Sequence, residues 1–179
     1  MGVDGSRTRL AIGTPEEMIA LGRCLGEVLF DGAVVGLSGP LGAGKTTLAR
    51  GIAEGLGIEE GYVVSSPTYT IMQSYPCSER DLHHMDLYRI KGPDDLDSTG
   101  FRDHVGGSMV LMVEWPEREP SVLPPDNLIV NIDYQDEGRE VTLLPTGGDY
   151  EELVRQVRER YVGTGSHVLS ERNGETEKR

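Results

Sequence analysis

The residues best suited to chemistry in this chain form one run, Gly39-Pro40-Leu41-Gly42-Ala43-Gly44-Lys45-Thr46-Thr47. It fits the phosphate-binding pattern of Gly, four residues, Gly, Lys, then Ser or Thr. Glycines in such a loop let successive backbone N–H groups converge on a polyphosphate, and the positive end of the following helix adds to that field. Gly39, Leu41, Gly42, Ala43 and Gly44 are therefore the expected nucleotide-binding backbone. Lys45 is expected to hold its ammonium against the β- and γ-phosphates, Thr46 to ligate magnesium, and Thr47 to touch the α-phosphate. Lysine is scarce, with Lys45, Lys91 and Lys178 its only copies, so the match is not a by-product of composition.

Magnesium at such a site needs a carboxylate at the end of a neighbouring strand. Two acids compete. Glu114 follows the apolar run Met109-Val110-Leu111-Met112-Val113, whereas Asp86 follows the more polar Leu82-His83-His84-Met85. Pattern alone favours Glu114. Ser66-Pro67-Thr68-Tyr69-Thr70 gathers hydroxyls where a γ-phosphate-sensing loop could lie, although the same composition suits an ordinary turn. Trp115, the only tryptophan, directly follows Glu114 and could fill the core or pack against a base. His83 and His84 do not suit joint metal ligation, because adjacent strand residues point to opposite faces.

The elements that must position these groups are readable in outline. Val34-Val35-Gly36-Leu37 reads as a short buried strand ahead of the loop, and Leu48, Ala49, Ile52, Ala53 and Leu56 recur at helical spacing behind it. Gly57 is the expected C-cap. An earlier helix opens at Thr14-Pro15-Glu16-Glu17, with Thr14 capping, Pro15 at the first helical position and Glu17 completing a capping box. Its apolar face runs Met18, Leu21, Gly22, Leu25, Val28 and Leu29, and Asp31-Gly32 ends it. Residues 62–75 read as extended around a Ser65-Ser66-Pro67 break, Leu82 to Leu87 as a strand, and Met109 to Val113 as a central strand. Pro93 to Val105 is polar, with a short helix expected near Phe101. Val130, Ile132 and Tyr134 alternate with polar residues, and Glu140 to Leu144 follows a turn at Gly138. That predicts a hairpin at the edge or rear of the sheet. Tyr150 to Tyr161 reads as a closing helix.

At 179 residues the chain suits one domain. The expected fold is α/β, a P-loop NTPase three-layer arrangement with a mainly parallel central sheet, antiparallel additions and a C-terminal hairpin. The domain is expected over 10–162, with disordered tails at 1–9 and 163–179. No apolar run approaches a membrane span, and Met1 to Arg7 lacks the apolar core of a secretory signal. Cys24 and Cys77 are unclustered, which suggests neither a disulfide framework nor a zinc site, so the cytoplasm is the expected compartment. The net charge of −13 and the absence of any Lys/Arg-rich segment disfavour independent binding of nucleic acid.

Four segments together resemble one family: Leu41 to Thr46, Ser66 to Thr70, His84-Met85-Asp86-Leu87-Tyr88-Arg89, and Glu114-Trp115-Pro116. The chain resembles TsaE, the bacterial ATPase of tRNA threonylcarbamoyladenosine synthesis, from about Leu10 to about Arg160. The resemblance implies ATP and magnesium binding, with slow hydrolysis stimulated inside a complex with TsaD and TsaB, and contact with tRNA only through that complex. It places Lys45, Thr46, Thr68, Asp86, Glu114 and Trp115 at the nucleotide and links Asp86 to magnesium. Metal coordination is then divided between Asp86 and Glu114, and Glu114 gains an alternative role in orienting the attacking water. Pro40 stands where the family often has a polar residue, and the stretch from Asp97 to His104 lacks the family's acid after its central Gly100.

Two other functions fit the loop. A small-molecule kinase would gather arginines into a lid, whereas Arg89, Arg102 and Arg118 are scattered. An ATP-gated binding module would use nucleotide to order the 66–70 loop. No Asn-Lys-x-Asp motif for reading guanine is present.

Overall fold

In the computed structural model, which describes residues 7–78, 80–97, 100–101 and 107–163, the apolar runs assemble into one seven-stranded sheet. The strands are β1 (Thr8–Ile12), β2 (Val34–Ser38), β3 (Met72–Tyr75), β4 (Leu82–Asp86), β5 (Val110–Glu114), β6 (Asn127–Tyr134) and β7 (Arg139–Thr146). Their order is β1-β7-β6-β2-β5-β4-β3. The central members β6, β2, β5 and β4 run parallel, and β1, β7 and β3 are joined by antiparallel pairing. This is the expected mainly parallel α/β sheet.

Helices α1 (Pro15–Val28), α2 (Lys45–Gly55) and α4 (Gly148–Gly163) cover one face. Val35 and Leu37 of β2 and Val110 and Met112 of β5 point into that core, while Val34, Leu111 and Val113 point to the other. The opposite layer is thinner. It consists of α3 (Pro93–Asp97) and 3-10 turns at Pro116–Arg118 and Pro120–Val122, packed over Met85, Leu87, Leu96 and Phe101.

Helices α1 and α2 approach backbone to backbone. A Cβ built on Gly22 would lie 2.6 Å from the Leu48 carbonyl oxygen and 2.7 Å from Gly51 Cα. One turn on, a Cβ on Gly26 would meet Gly55 Cα at 2.8 Å. Small residues four apart on both helices remove the side-chain layer between them. This seats α2 firmly against its neighbour. The C-terminus of α2 closes as a Schellman motif, with the Gly57 amide on Glu54 O, the Ile58 amide on Ala53 O and Gly57 at φ 75°.

Several expectations change. β1 starts at Thr8, inside the segment expected to be a tail, because Leu10 and Ile12 bury fully against β7. The rest of the expected tails, 1–6 and 164–179, lies outside the described residues, and Gly163 ends α4. The hairpin β6–β7 is interior rather than at the edge or rear, since β6 pairs parallel with β2 and β1 takes the edge. Of residues 62–75 only Met72–Tyr75 pairs as strand. Before it the chain turns, with the Ile71 amide on Pro67 O and Ile71 at φ 66°. A helix forms at Pro93–Asp97, and Phe101, where the short helix is expected, is itself 3-10 helical, with 98–99 and 102–106 outside the described residues. Glu17 caps Gly13 N at 2.6 Å rather than the Thr14 amide, while Thr14 accepts from Glu17 N as expected.

Candidate nucleotide site

The loop between β2 and α2 takes its shape from glycine. Gly39, Gly42 and Gly44 have φ of 136°, 76° and 117°, backbone that L side chains rarely adopt. Gly44 is the N-cap residue of α2, so Lys45 and Thr46 occupy its first turn, where free amides and the helix field point back into the loop.

Lys45 is buried, and its Nζ donates to Gly39 O at 2.7 Å and Pro40 O at 2.9 Å. The ammonium also lies 3.8 Å from the centroid of the Trp115 ring. Burial pulls its pKa below the ordinary lysine value, against the opposing pull of Glu114, Glu117 and Asp86. Trp115 is held at φ 61°, with the Tyr88 ring tilted against it at 5.1 Å. It therefore sits at the Lys45 end of the loop.

Asp86 and Glu114 end the parallel strands β4 and β5 in register, on the face that meets α2. Both are almost fully buried. Glu114 Oε1 accepts from Thr46 Oγ1 at 3.1 Å and lies 3.0 Å from His84 Nε2. Asp86 Oδ1 accepts the Tyr88 amide at 2.8 Å, and its Oδ2 accepts from Thr68 Oγ1 at 2.7 Å and from Ser66 Oγ. The hydroxyl loop 66–70 is thus fastened directly to one of the two candidate acids.

Oxygen donors from Asp86 and Glu114 on one sheet face, with the Thr46 hydroxyl of α2 beside them, suit a hard cation such as magnesium. Among the described residues no group of three or more His, Cys, Asp or Glu side chains forms a metal cage.

On the other side of the loop lies a cleft of about 220 Å³ lined by Thr14, Met18, Ala43, Thr47, Gly138 and Arg139 among others. Two hairpin residues brace the loop there. Tyr134 Oη donates to Leu41 O at 2.7 Å, and Arg139 Nε donates to Ala43 O at 3.0 Å. The Arg139 guanidinium stacks over the Tyr134 ring at 4.4 Å. Neither residue carries a local motif, so sequence reading missed both. His84 was also missed as a site residue, although it shares strand parity with Asp86. Trp115 does not line this cleft.

The model of the family described as threonylcarbamoyl adenosine biosynthesis protein TsaE matches residues 12–141, which span the loop, both acids and most of the hairpin. The chain belongs to the TsaE family. TsaE of Haemophilus influenzae is 37% identical over 137 residues, 73% of this chain and 85% of that protein. TsaE of Bacillus subtilis is 38% identical over 144 residues, 80% and 89% of the two chains, and that of Streptomyces coelicolor is 40% identical over 138 residues, 73% and 91%. All three are named tRNA threonylcarbamoyladenosine biosynthesis proteins. The crystal structure of Bacillus subtilis YdiB superposes with a TM-score of 0.75 at 31% identity, covering 88% of this chain and 98% of that one. The TsaE assignment covers the elements that carry Lys45, Thr46, Asp86 and Glu114. No helix among the described residues is long and apolar enough to cross a membrane.

Proposed function

We propose that this TsaE protein is a magnesium-dependent ATPase that hydrolyses ATP within a cytoplasmic complex with TsaD and TsaB, and meets tRNA only through that complex. One observation carries the reading: a lysine, a threonine hydroxyl and two buried carboxylates converge at the mouth of a glycine loop. The loop amides and Lys45 bind the phosphates, and the cleft beside Thr47 takes the nucleoside. Thr46 and Asp86 would hold magnesium with Glu114 adjacent; once bound, the cation offsets charge on the phosphates.

Glu114 then has a separate task. Its Oε1 is engaged by Thr46 and His84, which leaves Oε2 to accept a hydrogen bond from the attacking water. The water oxygen forms a new bond to the γ-phosphorus as the bond to the β–γ bridging oxygen breaks. Thr68 and Ser66, tied to Asp86, couple occupancy of the site to the end of the 66–70 loop, where the exposed Tyr69 ring lies under Arg89 at 4.3 Å. A loop set by nucleotide in this way is a means of presenting a different surface to a partner. The kinase alternative gains nothing, since Arg89 and Arg118 rest on tyrosine rings instead of forming a lid.

The test compares phosphate release by the protein alone and beside TsaD and TsaB. Slow turnover alone and faster turnover in the complex are expected, with Trp115 emission changing on ATP addition and Lys45→Ala abolishing that change. Absence of stimulation, together with phosphate transfer to a metabolite, would overturn the reading.

A further inference from the structure

We infer that His84 is a positioning residue that fixes the rotamer of Glu114 for water activation. This rests on the hydrolytic reading above. His84 is fully buried on β4, and its register partner Met112 precedes Glu114 by two residues on β5. The imidazole therefore lies one pleat behind the acid on the same sheet face.

Its two nitrogens have unequal surroundings. Nε2 lies 3.0 Å from Glu114 Oε1, whereas Nδ1 is buried and has no hydrogen-bond partner among the described residues. The Tyr75 ring lies at 6.5 Å, tilted against the imidazole. A carboxylate oxygen is a hydrogen-bond acceptor, so the contact calls for the Nε2–H tautomer, which leaves Nδ1 a buried acceptor with no partner. A buried acceptor without a partner opposes folding. A leucine of similar volume would avoid that cost. The imidazole is therefore accounted for by what Nε2 does.

What Nε2 does is complete a two-donor clamp. Thr46 Oγ1 and His84 Nε2 both hold Oε1 of Glu114, from α2 and from β4 respectively. With one oxygen tied at both sides, the carboxylate plane cannot turn, and Oε2 is the oxygen presented to the reacting water. If a cation takes the Thr46 hydroxyl, His84 is the donor that remains. Its burial gives it a fixed place that an exposed residue would lack.

The experiment compares the full-length variants His84→Leu, His84→Gln and Glu114→Gln and the double variant His84→Leu/Glu114→Gln. Displacing a water-orienting group by a fraction of an ångström is expected to lower kcat about tenfold or more in His84→Leu, with ATP affinity changed less than about twofold. His84→Gln keeps an N–H donor at similar reach and is expected to recover most of that loss. In the Glu114→Gln background the leucine change should add less than about a twofold effect, because both act through one carboxylate. Loss of rate in His84→Leu and His84→Gln alike, in step with lowered Tm, or full additivity with Glu114→Gln, would overturn the inference.

A second readout needs no turnover. The ¹⁵N imidazole spectrum of the wild type should show His84 as the Nε2–H tautomer, and Glu114→Gln should move that signal. A His84 protonated on Nδ1, or one indifferent to Glu114→Gln, contradicts the clamp. If the wild type and its complex hydrolyse no ATP, the hydrolytic reading fails by itself, and the spectrum still decides whether His84 holds Glu114.

Discussion

Asp86 and Glu114 stand in register at the ends of adjacent parallel strands, yet they bond to different parts of the molecule. Asp86 is fastened to the 66–70 loop through Ser66 and Thr68, and Glu114 to the first turn of α2 through Thr46. Two neighbouring carboxylates with separate partners can do separate jobs.

Their variants should therefore differ. Asp86→Ala is expected to weaken magnesium-dependent ATP affinity about tenfold or more, through loss of a charged ligand. Glu114→Gln is expected to bind MgATP nearly as the wild type does while kcat falls about 10²-fold or more. Fluorescent-nucleotide titration with and without magnesium, beside phosphate-release assays, separates them. Identical defects in both variants would show that the acids share one role.

The hairpin brace predicts an effect on affinity at a distance from the phosphates. Arg139→Met removes a charged donor from Ala43 O and is expected to weaken ATP binding about tenfold. Tyr134→Phe frees a carbonyl on the exposed Leu41 that water can satisfy, so about fivefold or less is expected. Calorimetric titration with ATP measures both; wild-type affinity in Arg139→Met would remove the brace from the site.

The close helix pair predicts a stability cost where helix propensity alone predicts a gain. Alanine is favoured over glycine in a helix interior by about 1 kcal/mol. At Gly22 and Gly51, however, the added Cβ meets backbone atoms that cannot rotate away. Each alanine variant is expected to lose about 1–3 kcal/mol in urea unfolding. Gly92→Ala, which meets nothing within 4 Å, should stay within about 0.5 kcal/mol of wild type.

Tyr150 ties α4 to the central strand, its phenol oxygen accepting the Val34 amide at 2.8 Å. Tyr150→Phe leaves that buried N–H unpaired and is expected to cost about 1–3 kcal/mol. Burial also pushes the phenol above its ordinary value of 10.0, ahead of the opposing effect of the Val34 hydrogen bond. In the unfolded chain the phenol ionises at the ordinary value, so the unfolded state binds fewer protons above it. The stability linked to Tyr150 is thus complete below pH 10.0 and is lost as pH rises through the raised folded value. Urea midpoints across alkaline pH should fall more steeply in wild type than in Tyr150→Phe.

Much of this was legible in the chain itself. The strand, glycine loop and helix around Lys45 were readable because that turn is built from its own local backbone. The strands of β2 and β5 and the helices α1, α2 and α4 were likewise written in apolar periodicity, a signal that depends on each element's own buried face. The sequence also placed Asp86 and Glu114 at strand ends and favoured Glu114 by pattern, but it did not separate their roles. Only the tertiary structure decided their partners, because Ser66, Thr68, Thr46 and His84 reach them across elements far apart in sequence. It also put β6 inside the sheet, made β1 the edge, and brought Tyr134 and Arg139 onto the loop. Those outcomes depend on which strand pairs with which, and strand pairing is a long-range choice that no local pattern encodes.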